Sequence, residues 1–319
     1  MLIFILRRAG ELLLSLLLVS FLVFGMLLAA PGDPAMMLMG QAAARPENQP
    51  TLERLRVEMG LDKPFIVQYS RWLGKVVQGD LGVSFRSGRA VSQLILGRLP
   101  ATLQLLLLSV LASLAISVPL AVLAALRPSS WLDRSLVLLS VGGVAVPGFW
   151  LGLILILLFS VRLGWLPPSG FTPFLKDPID NLLRAAMPVA TLSVYLIATF
   201  TRFLRGDLIE VLRQDYIRTA TAKGLRRRAV LWRHAFKNAL PALWTVVGIE
   251  AGTLLGGAII VEVVFGWSGV GWLAVQAVLN NDYALVQGVV LFVATGFGLV
   301  TLVTDIGYAW LDPRLRSTS

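Results

Sequence analysis

Six long apolar stretches constrain the fold of this chain more than any motif does. The stretches cover residues 12–32, 101–126, 135–161, 185–201, 238–261 and 283–304. The only charged residue within them is Glu250. An α-helix needs about 20 apolar residues to cross roughly 30 Å of hydrocarbon, and the short fourth stretch can extend past Arg202 because arginine directs its charge toward the membrane surface. The chain is therefore predicted to be an all-α membrane protein with six transmembrane helices.

The composition agrees with this prediction and excludes several classes of protein. Hydrophobic residues make up 56% of the chain and charged residues 14%, whereas soluble domains have about 45–50% and about 25%. The chain has no cysteine and a single histidine, His234. Disulfides, thiolate metal sites and multi-histidine metal sites are therefore excluded within this chain.

The first stretch has one alternative interpretation, a secretory signal peptide, because Arg7 and Arg8 precede it. Its apolar run of about 20 residues is longer than the usual core of a signal peptide. Pro31 directly after Ala29 and Ala30 is also a poor context for cleavage. We therefore predict an uncleaved first helix.

The distribution of lysine and arginine predicts the orientation in the membrane. Ten basic and three acidic residues lie between Arg202 and Lys237, and further arginines precede the first stretch, join the second to the third, and follow the sixth. Basic residues in short loops mark the cytoplasmic side, so both termini are predicted to be cytoplasmic. The loop at 33–99 carries nine basic residues, but loops longer than about 60 residues cross the membrane largely regardless of charge. The net charge of +10 is thus attributed to topology, and nucleic-acid binding is not predicted.

The loop at 33–99 is predicted to lie outside the membrane and to contain two helices. Residues 51–59 show a helical pattern, with Thr51 as the N-cap and Gly60 as the stop. Residues 64–77 are amphipathic, with apolar side chains every three or four positions. These side chains are Phe65, Tyr69, Trp72 and Val76. We interpret this second helix either as part of a packed cap along the membrane face or as a platform for an external partner.

The segment at 206–238 is predicted to form two short cytoplasmic helices separated by a glycine. One apolar stripe recurs every four residues, at Leu208, Leu212, Tyr216 and Ala220. Gly224 then interrupts the pattern, as a glycine does where it ends a helix in the left-handed conformation, and a basic helix at 225–238 runs into Pro241. Charge alone favours a loop held to anionic lipid, whereas a glycine between two amphipathic turns favours a docking element. The residues by themselves leave both alternatives open.

No group of residues in the sequence supports catalysis by this chain alone. It contains neither a nucleotide-binding Gly-x-x-x-x-Gly-Lys-Ser/Thr loop nor a His-Glu-x-x-His motif. Glu250, well inside the fifth stretch, is predicted either to bond a neighbouring helix or to contact a translocation path. A single carboxylate of this kind gives little support for a self-sufficient, ion-driven carrier.

Glycines and prolines within the stretches predict local packing and bending. Gly248, Gly252 and Gly256 repeat every four residues, which is the close-packing pattern of membrane helices. Kinks are predicted at prolines inside the second, third and fourth stretches. These prolines are Pro119, Pro147 and Pro188.

Short motifs, in order along nearly the whole chain, resemble those of one protein family. They are Pro31-Gly-Asp-Pro34, Gly60-Leu-Asp-Lys-Pro64, Gly79-Asp-Leu-Gly82, Pro147-x-Phe149-Trp150, Leu163-Gly-Trp-Leu-Pro167, Asp215-Tyr-Ile-Arg-Thr-Ala-Thr-Ala-Lys-Gly224 and Asp312-Pro-Arg314. In these motifs and their spacing, the chain resembles the integral-membrane permease subunits of bacterial ABC importers, in the dipeptide/oligopeptide/nickel branch. The resemblance implies the type I ABC importer permease fold, with six transmembrane helices and a large periplasmic loop between the first two.

The resemblance also implies that the segment around Gly224 is the coupling motif, which docks into a groove of an ATPase subunit. The implied docking residues are Asp215, Tyr216, Arg218, Thr219, Ala220, Ala222, Lys223, Gly224 and His234. The broad importer pattern begins Glu-Ala-Ala where this chain has Arg218, Thr219 and Ala220, a difference that resembles the peptide branch. The family often has proline where Ser268 stands, and this difference bears on the turn at Gly266-Trp-Ser-Gly-Val-Gly271.

The mechanism implied by the resemblance is alternating access driven by partner subunits. The implied partners are two ATPase subunits that bind ATP and magnesium, a second and related permease, and an external solute-binding protein that delivers the substrate. No catalytic residue, cofactor or metal is expected in this chain, which is expected in the bacterial inner membrane. A peptide-type substrate is expected. Nickel chelates, glutathione, opines and sugars stay open as alternatives, as does a self-sufficient secondary carrier or channel.

The predicted organisation of the chain has four parts. Residues 1–32 form an N-terminal cytoplasmic segment with the first transmembrane helix, and residues 33–99 form the external loop. Residues 100–312 form the core permease domain, which includes the coupling segment at 206–238. Residues 313–319 form a cytoplasmic tail.

Overall fold

Helices make up nearly all of the regular secondary structure in this chain. The computed structural model describes residues 2–29, 34–39 and 45–311. Besides helices, these residues contain an isolated β-bridge between Val83 and Ala90. The α-helices, in chain order, are α1 (Leu2–Ala29), α2 (Pro34–Met39), α3 (Gln49–Met59), α4 (Phe65–Val77), α5 (Val91–Leu126), α6 (Trp131–Ala145), α7 (Gly148–Leu155), α8 (Pro178–Leu212), α9 (Asp215–Ala222), α10 (Arg227–Ala229), α11 (Lys237–Val264), α12 (Val270–Leu279) and α13 (Tyr283–Leu311). The motif residues at 31–33 and the predicted tail at 313–319 lie outside the described residues.

Five helical stretches in the described residues are long and apolar enough to cross a membrane. They are Ile5–Met26, Val91–Leu126, Pro178–Leu212, Arg227–Val264 and Tyr283–Tyr308. Each of them contains or overlaps one of the apolar stretches that the sequence shows. The predicted all-α membrane fold is therefore confirmed.

The third predicted span, at 135–161, is not one straight helix. It consists of α6, then α7 and the π-helical turn Ile156–Arg162, with a bend of 97° at the break. Val146 is extended there (φ −78°, ψ 122°) because the residue before a proline avoids the helical region, and Pro147 offers no N–H to the helix. The kink predicted at Pro147 is confirmed, and the described chain has six spans if this bent pair counts as one.

The chain divides into two compact units. One comprises Met1–Ala9, Pro100–Trp272 and Gly296–Ser319, and the other comprises Gly10–Leu99 and Leu273–Thr295. In the first unit α8 is central, because α6, α7 and α11 all pack against it. The hydroxyl of Ser193 on α8 donates to the main-chain carbonyl of Ser109 on α5 at 3.3 Å. This hydrogen bond connects α5 to α8.

The small-residue face of α11 packs closely against α13 within the first unit. A Cβ added to Gly248 would overlap the side chain of Thr304, and a Cβ added to Gly252 would lie 3.1 Å from the ring of Phe297. The predicted close packing is confirmed at these two glycines. Gly256 differs, because an added Cβ there would meet nothing within 4 Å.

In the second unit, α4 packs its aromatic face against α1. The rings of Phe65 and Tyr69 have centroids 5.2 and 5.3 Å from that of Phe21. The ring of Trp72 lies 5.2 Å from that of Phe24. The apolar face predicted for this helix is therefore used for packing within the chain, which supports the packed-cap interpretation.

Helix α3 begins two residues earlier than the sequence predicts. Its N-cap is Asn48 and not Thr51. Pro50 occupies the first turn, where the absence of an N–H leaves no helical hydrogen bond unmade. Gly60 adopts the left-handed conformation, with φ 71°, and ends the helix as predicted.

Asp282 connects the segment after α4 to the start of α13 within the second unit. Its buried carboxylate accepts hydrogen bonds from Ser84 Oγ at 2.5 Å and from the N–H of Leu285 at 3.2 Å. The N–H groups in the first turn of a helix lack partners within the helix. Asp282 therefore caps α13 and at the same time anchors the segment that contains Ser84.

Candidate functional site

The segment that joins α8 to α11 contains all nine predicted docking residues. Helix α8 ends at Leu212, and α9 begins after Gln214, whose extended backbone (φ −70°, ψ 150°) forms the N-cap. The prediction of a single apolar stripe from Leu208 to Ala220 is therefore wrong. The break at Gln214 separates two helices, so the apolar positions of α9 do not continue the face of α8. In α9 the buried side chains are Ile217 and Ala220.

Gly224 forms the turn that follows α9. Its φ is +81°, a left-handed conformation that glycine adopts without the steric cost a Cβ brings. Its N–H donates to the carbonyl of Thr221 at 3.0 Å, and the N–H of Leu225 donates to the carbonyl of Ala220 at 3.4 Å. Such bonds satisfy carbonyl groups left free at a helix end, and the predicted glycine turn is confirmed.

The helix after Gly224 is much longer than predicted. Helix α10, the π-helical turn Val230–Phe236 and α11 follow one another directly from Arg227 to Val264. The separate short helix predicted at 225–238 is therefore wrong. Pro241 lies inside the long helix, because membrane helices tolerate a proline where neighbouring groups satisfy the freed backbone. Since α9 packs against the π-helical turn, the predicted docking segment is fixed to the end of a spanning helix.

Seven of the nine predicted docking residues are exposed. They are Asp215, Tyr216, Arg218, Thr219, Ala222, Lys223 and Gly224. Ala220 is buried, and His234, in the π-helical turn, is half-buried. Arg218 and Asp215 form an exposed ion pair at 3.4 Å, a kind of pair that contributes little to stability. We call the seven exposed residues the docking face.

An ion pair between the buried Asp133 and the half-buried Arg205, which the sequence did not predict, holds the start of α6 against α8. The carboxylate of Asp133 accepts from both Nε and Nη2 of Arg205, the latter at 2.8 Å, and from the N–H of Ser129 at 2.8 Å. Asp133 is 3% exposed. Asp133 lies just before the third apolar stretch and Arg205 just after the fourth, so opposite charges at adjacent span ends are the signal that could have revealed the pair.

We expect Arg205→Ala to destabilise the folded chain by about 1–3 kcal/mol, because the buried Asp133 carboxylate loses the donors of the half-buried Arg205 and keeps the N–H of Ser129. Thermal unfolding of the purified protein in detergent measures the loss. Arg134→Ala is the matched control, since Arg134 is exposed on the same turn. The double variant Asp133→Asn/Arg205→Met should be milder than Arg205→Ala alone. Equal melting temperatures for Arg205→Ala and the control would contradict the structural role of the pair.

Glu250 lies in the membrane-spanning part of α11 and contacts α8. Its Oε1 accepts a hydrogen bond from the hydroxyl of Tyr195, at 3.3 Å. Glu250 is half-buried and Tyr195 is 41% exposed. In the described part of the chain no lysine or arginine forms an ion pair with this carboxylate. The predicted bond to a neighbouring helix is present, and the predicted role in a translocation path stays a prediction.

A second acidic residue, Glu262, was not predicted as a site and is fully buried near the end of α11. Its Oε1 accepts from Thr102 Oγ1 at 2.7 Å, and its Oε2 accepts from the N–H of Trp272 at 2.9 Å. Thr102 Oγ1 in turn accepts from the N–H of Val270 at 2.8 Å. The carboxylate therefore organises the turn between α11 and α12. An acidic residue four positions before a glycine-rich turn is the sequence signal for this arrangement.

The turn at Gly266-Trp-Ser-Gly-Val-Gly271 is closely packed around this carboxylate. A Cβ added to Gly269 would overlap Glu262, so only glycine fits there. The indole of Trp267 is buried and donates from Nε1 to the carbonyl of Ala101 at 2.9 Å. The turn is thus formed with Ser268 at the position where the family often has proline.

Comparison with known proteins assigns the chain to a family over most of its length. Residues 117–317 match the family described as binding-protein-dependent transport system inner membrane component, and residues 1–106 match the description binding-protein-dependent transport system membrane component, N-terminal.

In the part of the chain that the structure describes, no three His, Asp or Glu side chains form a candidate metal site.

Three relatives are similar to the chain from end to end. The oligopeptide transport system permease protein AppB of Bacillus subtilis is 40% identical over 319 residues, covering 98% of this chain and 99% of that protein. The di/tripeptide transport system permease protein DppB of Pseudomonas aeruginosa is 39% identical over 337 residues, and the dipeptide transport system permease protein DppB of Escherichia coli is 37% identical over 339 residues, each covering 99% of both chains. The resemblance seen in the sequence is confirmed. The chain belongs to the binding-protein-dependent transport system inner membrane component family, the permease domain of ABC importers.

Proposed function

We propose that this chain forms half of the translocation pathway of an ATP-driven importer for peptide-type substrates. The observation that carries the proposal is similarity over nearly the full length to relatives named for oligopeptide, di/tripeptide and dipeptide transport. A second, related permease forms the other half, and a solute-binding protein delivers the substrate from outside. The complex lies in the bacterial inner membrane, with both termini of this chain in the cytoplasm.

The docking face is the proposed contact with an ATPase subunit. It is polar and exposed on one side of α9, while Ile217 and Ala220 on the other side hold α9 against the π-helical turn. A partner that binds the docking face therefore contacts α9, which is packed against the π-helical turn that leads into α11. ATP and magnesium are bound by the two ATPase subunits, and this chain contributes no catalytic residue. Ala220 lies buried on the opposite side of α9, and His234 lies in the π-helical turn against which α9 packs.

The proposal predicts which proteins accompany this chain when it is purified. A tagged chain, extracted from its native membrane in a gentle detergent, should bring down an ATPase subunit and a second permease, identified by mass spectrometry. The same complex in liposomes, supplied with a solute-binding protein, should take up a labelled tripeptide only when ATP is present. Competition by unlabelled nickel chelate, glutathione, opine or sugar tests the alternative substrates. A chain that purified alone and drove uptake without ATP would instead be a self-sufficient carrier.

A further inference from the structure

An apolar groove lies between α11 and α13 within the first unit. Its volume is about 290 Å³, with Gly248 and Ala251 of α11 on one side and Val300 and Thr304 of α13 on the other. The indole of Trp244 lines the end nearer the start of α11 and is 38% exposed. The groove is therefore open to whatever surrounds the chain.

The chemistry of the groove suits a hydrocarbon. Its two polar side chains already use their hydrogen-bond donors within the chain: Trp244 Nε1 donates to the carbonyl of Thr304 at 3.0 Å, and the Thr304 hydroxyl donates to the carbonyl of Val300 at 2.7 Å. The other side chains that line the groove are apolar. Apolar cavities exclude water and bind apolar molecules. The groove therefore favours a hydrocarbon chain over a peptide or another polar solute.

The groove lies within the membrane, close to one border. Both helices that form it belong to stretches long and apolar enough to cross a membrane. Lys237 precedes Trp244 by seven residues, which is about 10 Å along the helix axis. Asp305 directly follows Thr304 on the other helix. Since charged side chains mark the ends of spans, the groove begins within about two helical turns of the border.

Two exposed cations lie at this border on the same helical stretch. Lys237 is seven residues from Trp244, so the two residues share a face of α11. Arg233 lies four residues before Lys237, about one turn farther from the groove. Both cations are exposed, and neither forms an ion pair or a hydrogen bond with a residue that the structure describes. Trp232 is also exposed, at 45%, as tryptophans at a membrane border commonly are.

We propose that the groove binds an anionic phospholipid of the cytoplasmic leaflet. One acyl chain lies in the groove, and Lys237 and Arg233 bind the phosphate, a group to which both residue types donate strong hydrogen bonds. A zwitterionic lipid offers the same hydrocarbon without the net charge, so the site selects for anionic headgroups. This inference goes beyond the proposed function and takes from it only the orientation of the chain.

The position of the lipid connects it to the docking face. Arg233 lies in the π-helical turn against which α9 packs. A lipid bound there therefore holds the end of the helix that supports α9.

Bromine on an acyl chain quenches tryptophan fluorescence on contact, which gives a direct test. The purified complex is placed in phosphatidylcholine nanodiscs that contain a small fraction of brominated phosphatidylglycerol or, in a second sample, brominated phosphatidylcholine. The phosphatidylglycerol should quench more strongly, and Trp244→Phe should remove this difference. Lys237→Gln should weaken the apparent affinity for phosphatidylglycerol about fivefold, the scale expected for one cation near an anionic surface.

Lys75→Gln is the matched control, because it removes an exposed lysine from α4 and should leave the preference unchanged. Ala251→Leu fills the groove and should abolish the preference while the melting temperature is kept. Equal quenching by the two lipids in the unmodified complex would overturn the proposal. Release of the second permease by Ala251→Leu would also overturn it, since a helix of that subunit would then occupy the groove. Because the readout is fluorescence and not uptake, a failure of the proposed transport function would leave this result intact.

Discussion

Gly224→Asp is expected to abolish ATP-driven uptake while the chain remains folded in the membrane. A residue with a Cβ in the left-handed conformation costs about 1–2 kcal/mol, which is small beside the stability of a packed helical bundle. An added Cβ at Gly224 would meet nothing within 4 Å in this chain. The effect must therefore arise from the shape of the turn or from the surface that the partner contacts, and not from disrupted packing.

Uptake into liposomes and co-purification of the ATPase subunit measure this effect. Gly88→Asp is the matched control, because Gly88 also has a positive φ, of 66°, and open space around an added Cβ. It imposes similar strain away from the docking face and should keep uptake. Gly224→Ala should be intermediate, since it adds the strain without the charge. Normal uptake and normal ATPase recovery with Gly224→Asp would remove the docking face from the mechanism.

The largest expected loss of stability follows from Glu262→Ala. The substitution removes the acceptor for Thr102 Oγ1 and for the N–H of Trp272. An orphaned buried polar group costs about 1–3 kcal/mol, so two of them should lower the free energy of unfolding by about 2–6 kcal/mol. The melting temperature of the purified chain in detergent, or the yield of folded protein where the variant is too unstable, gives the measurement.

Two further variants separate hydrogen bonding at Glu262 from packing. Thr102→Val keeps the shape of the side chain but removes one donor to Glu262 and the acceptor for the N–H of Val270, so it should cost less than Glu262→Ala. Gly269→Ala adds a Cβ that would overlap the carboxylate of Glu262. It should destabilise the turn without changing any charge. A melting temperature for Glu262→Ala close to that of the unmodified protein would show that the turn does not depend on this carboxylate.

The sequence predicted the spans well because each is dictated by the length of an apolar run. It also predicted the turns at Gly60 and Gly224, where the left-handed conformation favours one residue type. Pro147 gave the position of a kink, although not its 97° size, because that angle depends on what packs against α6 and α7. The sequence was therefore sufficient to predict a turn or a kink wherever a single residue determines the backbone conformation.

Errors arose where several weak local signals competed. The apolar residues spaced by four around Leu212 concealed a helix break at Gln214. Glutamine is not one of the residue types that mark an N-cap, so nothing in the sequence marked the break. Pro241 suggested a helix end, but tertiary packing and the π-helical turn Val230–Phe236 carry the helix past it. Asp133 and Glu262 escaped notice because each is bound by a side chain more than 70 residues away in the chain, Arg205 and Thr102 respectively.

Because α9 packs against one end of a long helix, a movement of the docking face displaces the other end of that helix by a larger distance. From Arg227 to Glu250 the helix rises about 35 Å at 1.5 Å per residue, so a tilt of about 10° at its lower end moves the far point by about 6 Å. That distance exceeds the spacing of about 4.7–4.9 Å between neighbouring extended chains. Under the proposed function, a small rotation of α9 by a bound partner would shift the far end of the helix by more than the width of one extended peptide chain, with no helix needing to unwind.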